Sequence, residues 1–319
     1  MQIEISRLCP DLGPLLFVII YINDLPHVTK CPTRLFADDT KVFARSDLDN
    51  NTEKLQEDLD NLQAWSEKWL LKFHPEKCHV LKLGHTKSDC TYHMSRKDQD
   101  GNISLIPLSE SEFEKDLGVY IDNKLSFKEH IAQVTKKANR VVGVIRRSFD
   151  YLSDAMFVQL FKALVRPIVE YGNSAWHPYQ KELQQEIEDV QRRATKLLGH
   201  LKDKPYHERL AALKLPSLEH RRKRGAMIDC YKYVHEIYRT NRPQFKQFTA
   251  KNVRGHSLKL AKNHHRLQIR GNFFSERVIN VWNSLPDNVV TAPTVNTFKS
   301  RLDSHWKNLV SVYKPDCYN

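Results

Sequence analysis

The feature that most constrains this chain is a change of hydrophobic period near Ser126. Before it, apolar residues alternate with polar ones in short runs, the period of strands. Beyond it they recur at spacings of three and four, the period of helices packed on one face. In the first part, 35–36 finishes a strand, 37–39 turns, and 42–43 begins the return. Pro14 suits the first position of a short buried helix over 15–21, which Asn23-Asp24-Leu25-Pro26 ends. Asn50 and Glu53 resemble a capping box. The helix they open, over 52–73, carries Leu55, Leu59, Leu62, Trp69 and Phe73 on one face and stops at His74-Pro75. Trp65 and Trp69 are read as core. Residues 78–83 read as a strand, 85–101 as a loose excursion, 103–108 as its return, and 117–121 as a further strand. The fold class expected is α+β: an antiparallel sheet with helices on one face, then a mostly α-helical region.

In that second region, 127–148 carries Ile131, Val134, Ala138, Val141, Val142 and Ile145 on one side. Lys128, Lys136, Lys137, Arg140 and Arg147 lie largely on the other. Ser153 can cap a helix to about 171. Further helices are expected over 179–198, 217–238, 273–282 and 294–306, with 243–271 a basic loop or arm.

Charge divides along the same line. Residues 1–130 hold 16 Lys and Arg against 22 Asp and Glu, whereas 131–319 hold 34 against 16. The net charge of +12 therefore arises wholly in the second part, where +18 outweighs −6. A basic region of that size favours a polyanion, most often nucleic acid; the bland alternative is a solvated surface that keeps the protein soluble. Lys136, Lys137, Arg192, Arg193, Arg221, Arg222, Lys223 and Arg224 are the candidate phosphate contacts. The longest apolar run, Leu15 to Ile22, is too short to cross a bilayer, so no membrane partner is expected. The six cysteines (Cys9, Cys31, Cys78, Cys90, Cys230, Cys317) lack CxxC spacing. They read as free thiols of an intracellular protein without a disulfide-linked partner, nucleus and cytoplasm being indistinguishable. Cys230 with His235, and His264 with His265, form no paired zinc-ligand set, and neither a P-loop nor GxSxG occurs.

Chemistry concentrates at Phe36-Ala37-Asp38-Asp39. Adjacent carboxylates at a hairpin tip repel each other, and a hard divalent cation such as Mg²⁺ removes that repulsion while bridging to substrate phosphates. A polar surface turn is the plain alternative.

The surroundings add to this. Upstream stand Leu12-Gly13-Pro14 and the apolar run to Pro26. Downstream come Trp69-Leu70-Leu71-Lys72-Phe73-His74-Pro75-Glu76-Lys77-Cys78 and Lys115-Asp116-Leu117-Gly118-Val119. Leu164-Val165-Arg166-Pro167-Ile168-Val169-Glu170-Tyr171-Gly172 and Trp282-Asn283-Ser284-Leu285-Pro286 follow. In this order the segments resemble the C-terminal part of the reverse transcriptase of non-LTR (LINE-type) retrotransposons, over nearly the whole chain.

The resemblance implies a truncated palm over 1–125, a thumb-like helical region over 126–240, and a basic arm with C-terminal helices over 241–319. It makes Asp38 and Asp39, in the [FY]xDD motif with Phe36 and Ala37, the catalytic and Mg²⁺-binding carboxylates. It places Gly13 and Pro14 in the motif beside template and nucleotide, and Lys115 to Val119 in the primer grip. Lys77 matches a lysine near the triphosphate, or is simply an exposed residue before a strand. The implied partners are template RNA, DNA primer and, in the intact enzyme, deoxynucleoside triphosphates. Two departures are expected to matter. The earlier palm aspartate lies upstream of this chain, and Leu8 and Cys9 stand where the family has Gln-Gly. Three readings follow: a reverse transcriptase fragment inactive alone, a catalytically inert nucleic-acid-binding module, or a decayed element product.

Overall fold

The structure is a computed structural model that describes residues 22–37, 39–45, 51–84, 90–97, 102–240, 245–246, 248 and 255–312. The expected helix over 15–21, Gly13, Pro14, Asp38 and Asn50 lie outside the described residues. The chain divides into two compact units, Met1–Lys115 with Asp122–Lys124, and Asp116–Ile121 with Leu125–Asn319.

In the first unit, β1 (Thr33–Phe36) and β2 (Asp39–Val42) pair antiparallel. α1 (Asn51–Trp69) follows, then β3 (His79–Val80), β4 (His93–Lys97), β5 (Ile103–Pro107) and β6 (Ser109–Glu110). The single antiparallel sheet expected is, among the described residues, a set of two-stranded ladders: β1–β2 and β4–β5 are antiparallel, and β3–β6 is parallel. The division between units runs through the hairpin of β7 (Phe113–Asp116) and β8 (Val119–Asp122). The expected excursion over 85–101 contains β4, whose polar sequence hides the strand because Met94 is its one fully buried side chain among those described. The strand expected over 78–83 shrinks to two residues.

The core of this unit joins Ile22, Leu25, Leu59, Leu62, Trp65, Phe73, Cys78, Met94 and Leu108. α1 does not continue to Phe73. Leu70 takes the left-handed conformation (φ 57°), Leu71 N donates to Ser66 O at 3.0 Å, and Leu70 N donates to Glu67 O at 3.4 Å. These are the paired bonds of a Schellman stop. The reversal lets Phe73 reach the core and leaves Trp69 at 36% exposure, so Trp69 is not a core residue as expected.

The second unit is helical. α2 (Lys128–Ser148) buries Ile131, Ala138, Val142 and Ile145, as its stripe requires. α3 (Asp154–Leu160) is capped by Ser153, whose hydroxyl accepts from Met156 N at 3.3 Å. It passes through a π segment (Phe161–Val165) into α4 (Arg166–Glu170). The expected helix to 171 therefore exists with a widened turn. Arg166 N reaches back to Phe161 O, which makes room for Pro167, a residue that cannot donate and would clash in a regular turn.

α5 (Asn173–Trp176), α6 (Lys181–Thr195), α7 (Tyr206–Leu213) and α8 (Leu218–Val234) follow. One core gathers α2, α3, α4, α6 and Trp176. A second packs Ala226, Met227, Cys230 and Tyr231 of α8 against Val278, Ile279, Trp282, Leu285, Phe298 and Leu302. Of the helices α9 to α13 (Gln268–Gly271, Phe274–Arg277, Ile279–Asn283, Asp287–Val290, Val295–Val312), α11 supplies Ile279 and Trp282 and α13 supplies Phe298 and Leu302, while Val278 and Leu285 lie in turns between them. The helix expected over 273–282 is thus two short ones, α10 and α11. Among the described residues no helix is long and apolar enough to cross a membrane.

Candidate nucleic-acid interface and carboxylate hairpin

The hairpin that carries the carboxylates is tight. Its register pairs Phe36 with Asp39, Leu35 with Thr40, Arg34 with Lys41 and Thr33 with Val42, which closes on a tight loop through Ala37. Ala37 has φ 50°, the positive value such a loop demands. Asp39 therefore opens β2 rather than sitting in the turn, and is half-buried, while Asp38 lies outside the described residues. Thr33 and Thr40 face inward. Phe36 is 60% exposed and Ala37 is exposed as well, so the tip stands open to solvent.

The base of the hairpin is pinned to α1 by a residue that motif reading passed over. The buried carboxylate of Asp58 accepts from Lys30 N and Cys31 N, both at 2.7 Å. Its sequence signal was present: Asp58 falls among Leu55, Leu59 and Leu62 on the apolar stripe, where a carboxylate must find buried donors. Trp65 Nε1 donates to Asp24 Oδ1 at 3.3 Å, which holds the preceding turn against the same helix. Lys77 is exposed at the end of the 3-10 turn Pro75–Lys77, its backbone N bonded to His74 O at 2.9 Å.

Among the described residues no three His, Cys, Asp or Glu side chains assemble into a group able to hold a metal ion. Asp39 alone does not make a cage for two cations, which needs carboxylates from more than one strand. The described donor set does not fit a two-Mg²⁺ centre.

In the second unit the expected cations have diverse fates. Lys136 and Lys137 are exposed on α2, and Arg193 is exposed near the end of α6. Arg192 stacks over the Tyr206 ring at 4.9 Å. On α8, Arg221 makes a two-pronged ion pair with Glu170, one arm at 2.8 Å. Arg224 does the same with Asp303 at 2.6 and 2.8 Å, and Lys223 pairs with Glu219 at 2.6 Å. Arg222 is 1% exposed, and its guanidinium nitrogens have no hydrogen-bond partner. Burial pushes its pKa down, opposed by Glu188, Glu219 and Glu170 around it. Much of the charge on this helix is thus turned inward. Among the expected contacts, Lys136, Lys137 and Arg193 are the ones presented to solvent without a carboxylate partner among the described residues.

Two of the resembling segments meet. The turn Leu117-Gly118 has φ 46° and 85°, and Tyr171 Oη donates to Leu117 O at 2.9 Å. A Cβ on Gly118 would lie 3.2 Å from the Tyr171 ring, so glycine is needed here for space as well as for φ. Trp176 Nε1 in turn donates to Tyr171 O at 2.6 Å. The Trp282-Asn283 pair serves packing: Trp282 is fully buried and donates to Leu258 O at 2.8 Å. Asn283 accepts from Leu260 N at 2.9 Å and donates to Leu260 O at 2.8 Å. Glu188, likewise unnoticed in the sequence, caps α8 by accepting from Leu218 N and Glu219 N, both at 3.1 Å.

No family model matches the chain, and no solved structure matches it. Among curated proteins, it is 29% identical over 215 residues to the probable RNA-directed DNA polymerase from transposon BS of Drosophila melanogaster, covering 62% of this chain and 22% of that protein. It is 27% identical over 174 residues to the RNA-directed DNA polymerase from mobile element jockey of the same organism, covering 50% of this chain and 18% of the relative. A third similarity, 24% over 178 residues, is to the probable RNA-directed DNA polymerase from transposon X-element, covering 52% of this chain and 18% of the relative. The chain thus spans about a fifth of the length of these relatives. It shares distant, partial homology with the reverse transcriptases of non-LTR retrotransposons.

Proposed function

We propose that this chain is the C-terminal part of the RNA-directed DNA polymerase of a non-LTR retrotransposon. In this reading, part of the palm carries Asp38 and Asp39 as metal-binding carboxylates, and the thumb-like second unit holds template RNA and DNA primer. The observation that carries it is the Phe36–Asp39 hairpin. Asp39 opens β2 beside a turn exposed at Phe36 and Ala37, and Asp38-Asp39 occupy the sequence positions where the resembling family has its catalytic motif.

The intact family performs a two-metal nucleotidyl transfer. By itself this chain binds nucleic acid and does not extend a primer, because a cage for two cations needs a carboxylate from another strand. Loss of a well-placed electrostatic group from such a site costs about 10² to 10³ in rate, and poor orientation of the nucleotide compounds it.

Primer extension on template RNA with Mg²⁺ tests this with three proteins: the chain, the chain joined to an upstream segment of a relative, and that extended protein with Asp38→Ala. Only the extended protein with Asp38 intact should be active. Extension by the chain alone would overturn the reading that it is inactive by itself. Undiminished extension by the Asp38→Ala protein would overturn the assignment of the hairpin. The exposed Lys136, Lys137 and Arg193 favour a second reading, an inert nucleic-acid-binding module. It predicts binding by all three proteins and extension by none.

A further inference from the structure

The second unit contains an open cleft of about 490 Å³ at the end of α2, walled by the start of α3 and the turn after α6. Arg146, Phe149, Tyr151, Asp150, Asp154 and His200 line it. Tyr151 is 79% exposed and Phe149 is 37% exposed, so two aromatic faces stand in solvent with no core to cover them. Arg146, beside them, and Arg147, on the same last turn, are exposed and make no ion pair with a described residue. Asp154 and His200 engage each other at 3.2 Å.

The volume falls in the range of pockets that take a small ligand. Exposed aromatics next to unpaired guanidinium groups are what a single nucleic-acid strand requires. A base stacks on a ring whatever its identity, and the neighbouring cations meet its phosphates. A duplex cannot use such a place, because its bases are already stacked on one another. Preference among bases then follows stacking strength, so adenine, with the larger ring system, is held better than uracil.

We propose that this cleft seats one unpaired nucleotide of a single-stranded segment, its base on Tyr151 and Phe149 and its phosphate toward Arg146 and Arg147. The inference rests on the nucleic-acid-binding reading above and narrows it to a strand type and a place. Neither contact uses a sugar hydroxyl, so RNA and DNA strands serve alike.

Fluorescence anisotropy on the full chain tests it, with labelled oligo-adenylate as RNA and as DNA, oligo-uridylate, and a duplex of the same length. Tyr151→Ala should weaken both adenylate strands about tenfold, the loss expected for one stacked base. Tyr151→Phe should retain affinity, the duplex should be unaffected, and uridylate should bind less tightly than adenylate. Tyr151 is on the surface, so the substitution leaves the folded core untouched. Unchanged single-strand affinity in Tyr151→Ala, or an equal loss on the duplex, would overturn the proposal and leave the cleft to a protein ligand. If the wild-type chain binds no nucleic acid at all, the broader function falls with it.

Discussion

Acid should destabilise the second unit in part through His130. His130 is 1% exposed and lies against Trp176, with ring centroids 4.7 Å apart. Tyr120 N donates to its Nδ1 at 3.3 Å, so the proton of the neutral ring is on Nε2, which has no hydrogen-bond partner. Nothing nearby would welcome a second proton, and burial lowers the pKa from 6.5 to about 4. The unfolded chain therefore binds more protons than the folded one between these values, and stability rises with pH across that window. The contribution is fully present above 6.5 and is lost as the pH falls toward about 4. That lowering is worth about 3 kcal/mol in full, of which about 2 kcal/mol is lost between about pH 7 and about pH 4.5. The perturbation is His130→Phe, which keeps a ring against Trp176 but cannot titrate. Urea unfolding of both proteins at the two pH values gives the comparison, because carboxylates and His177 titrate in both. Wild type should lose about 2 kcal/mol more than the variant on acidification. Equal losses would refute the reasoning and mean that the His130 imidazolium is accommodated in the folded chain.

Three further outcomes follow from the same geometry. Asp58→Ala should destabilise the hairpin unit by about 3 kcal/mol in denaturant unfolding, since two backbone donors lose a charged acceptor, and Asp58→Asn should recover part of it. Leu70→Gly should raise the stability of that unit by about 1 kcal/mol, because a left-handed leucine at 86% exposure gives little packing in return for its strain; a decrease would show that Leu70 is held by contacts that matter. In binding to duplex, Lys136→Ala and Lys137→Ala should each flatten the slope of log affinity against log salt by about 0.9, whereas Arg221→Ala and Arg224→Ala should leave it nearly unchanged because Glu170 and Asp303 already neutralise them. A flatter slope in the arginine variants would mean those ion pairs open on binding.

Periodicity alone determined a good deal here. The stripe of α2 and the serine cap at Ser153 could be read directly, because both are local relations between residues a turn apart. The hairpin around Ala37 was legible for the same reason. Tertiary structure decided where helices stop and where charges go. Leu70 ends α1 although nothing in its side chain favours that conformation, because the chain must turn there to bring Phe73 and Cys78 into the core. The run Arg221 to Arg224 reads as one basic patch. A helix, however, spreads four successive residues around its axis, so Arg221 meets Glu170, Arg224 meets Asp303, and Arg222 enters the interior. Those partners lie 51 and 79 residues away. Charge along a chain is a property of sequence, but whether a charge faces water or a carboxylate depends on what folding brings beside it.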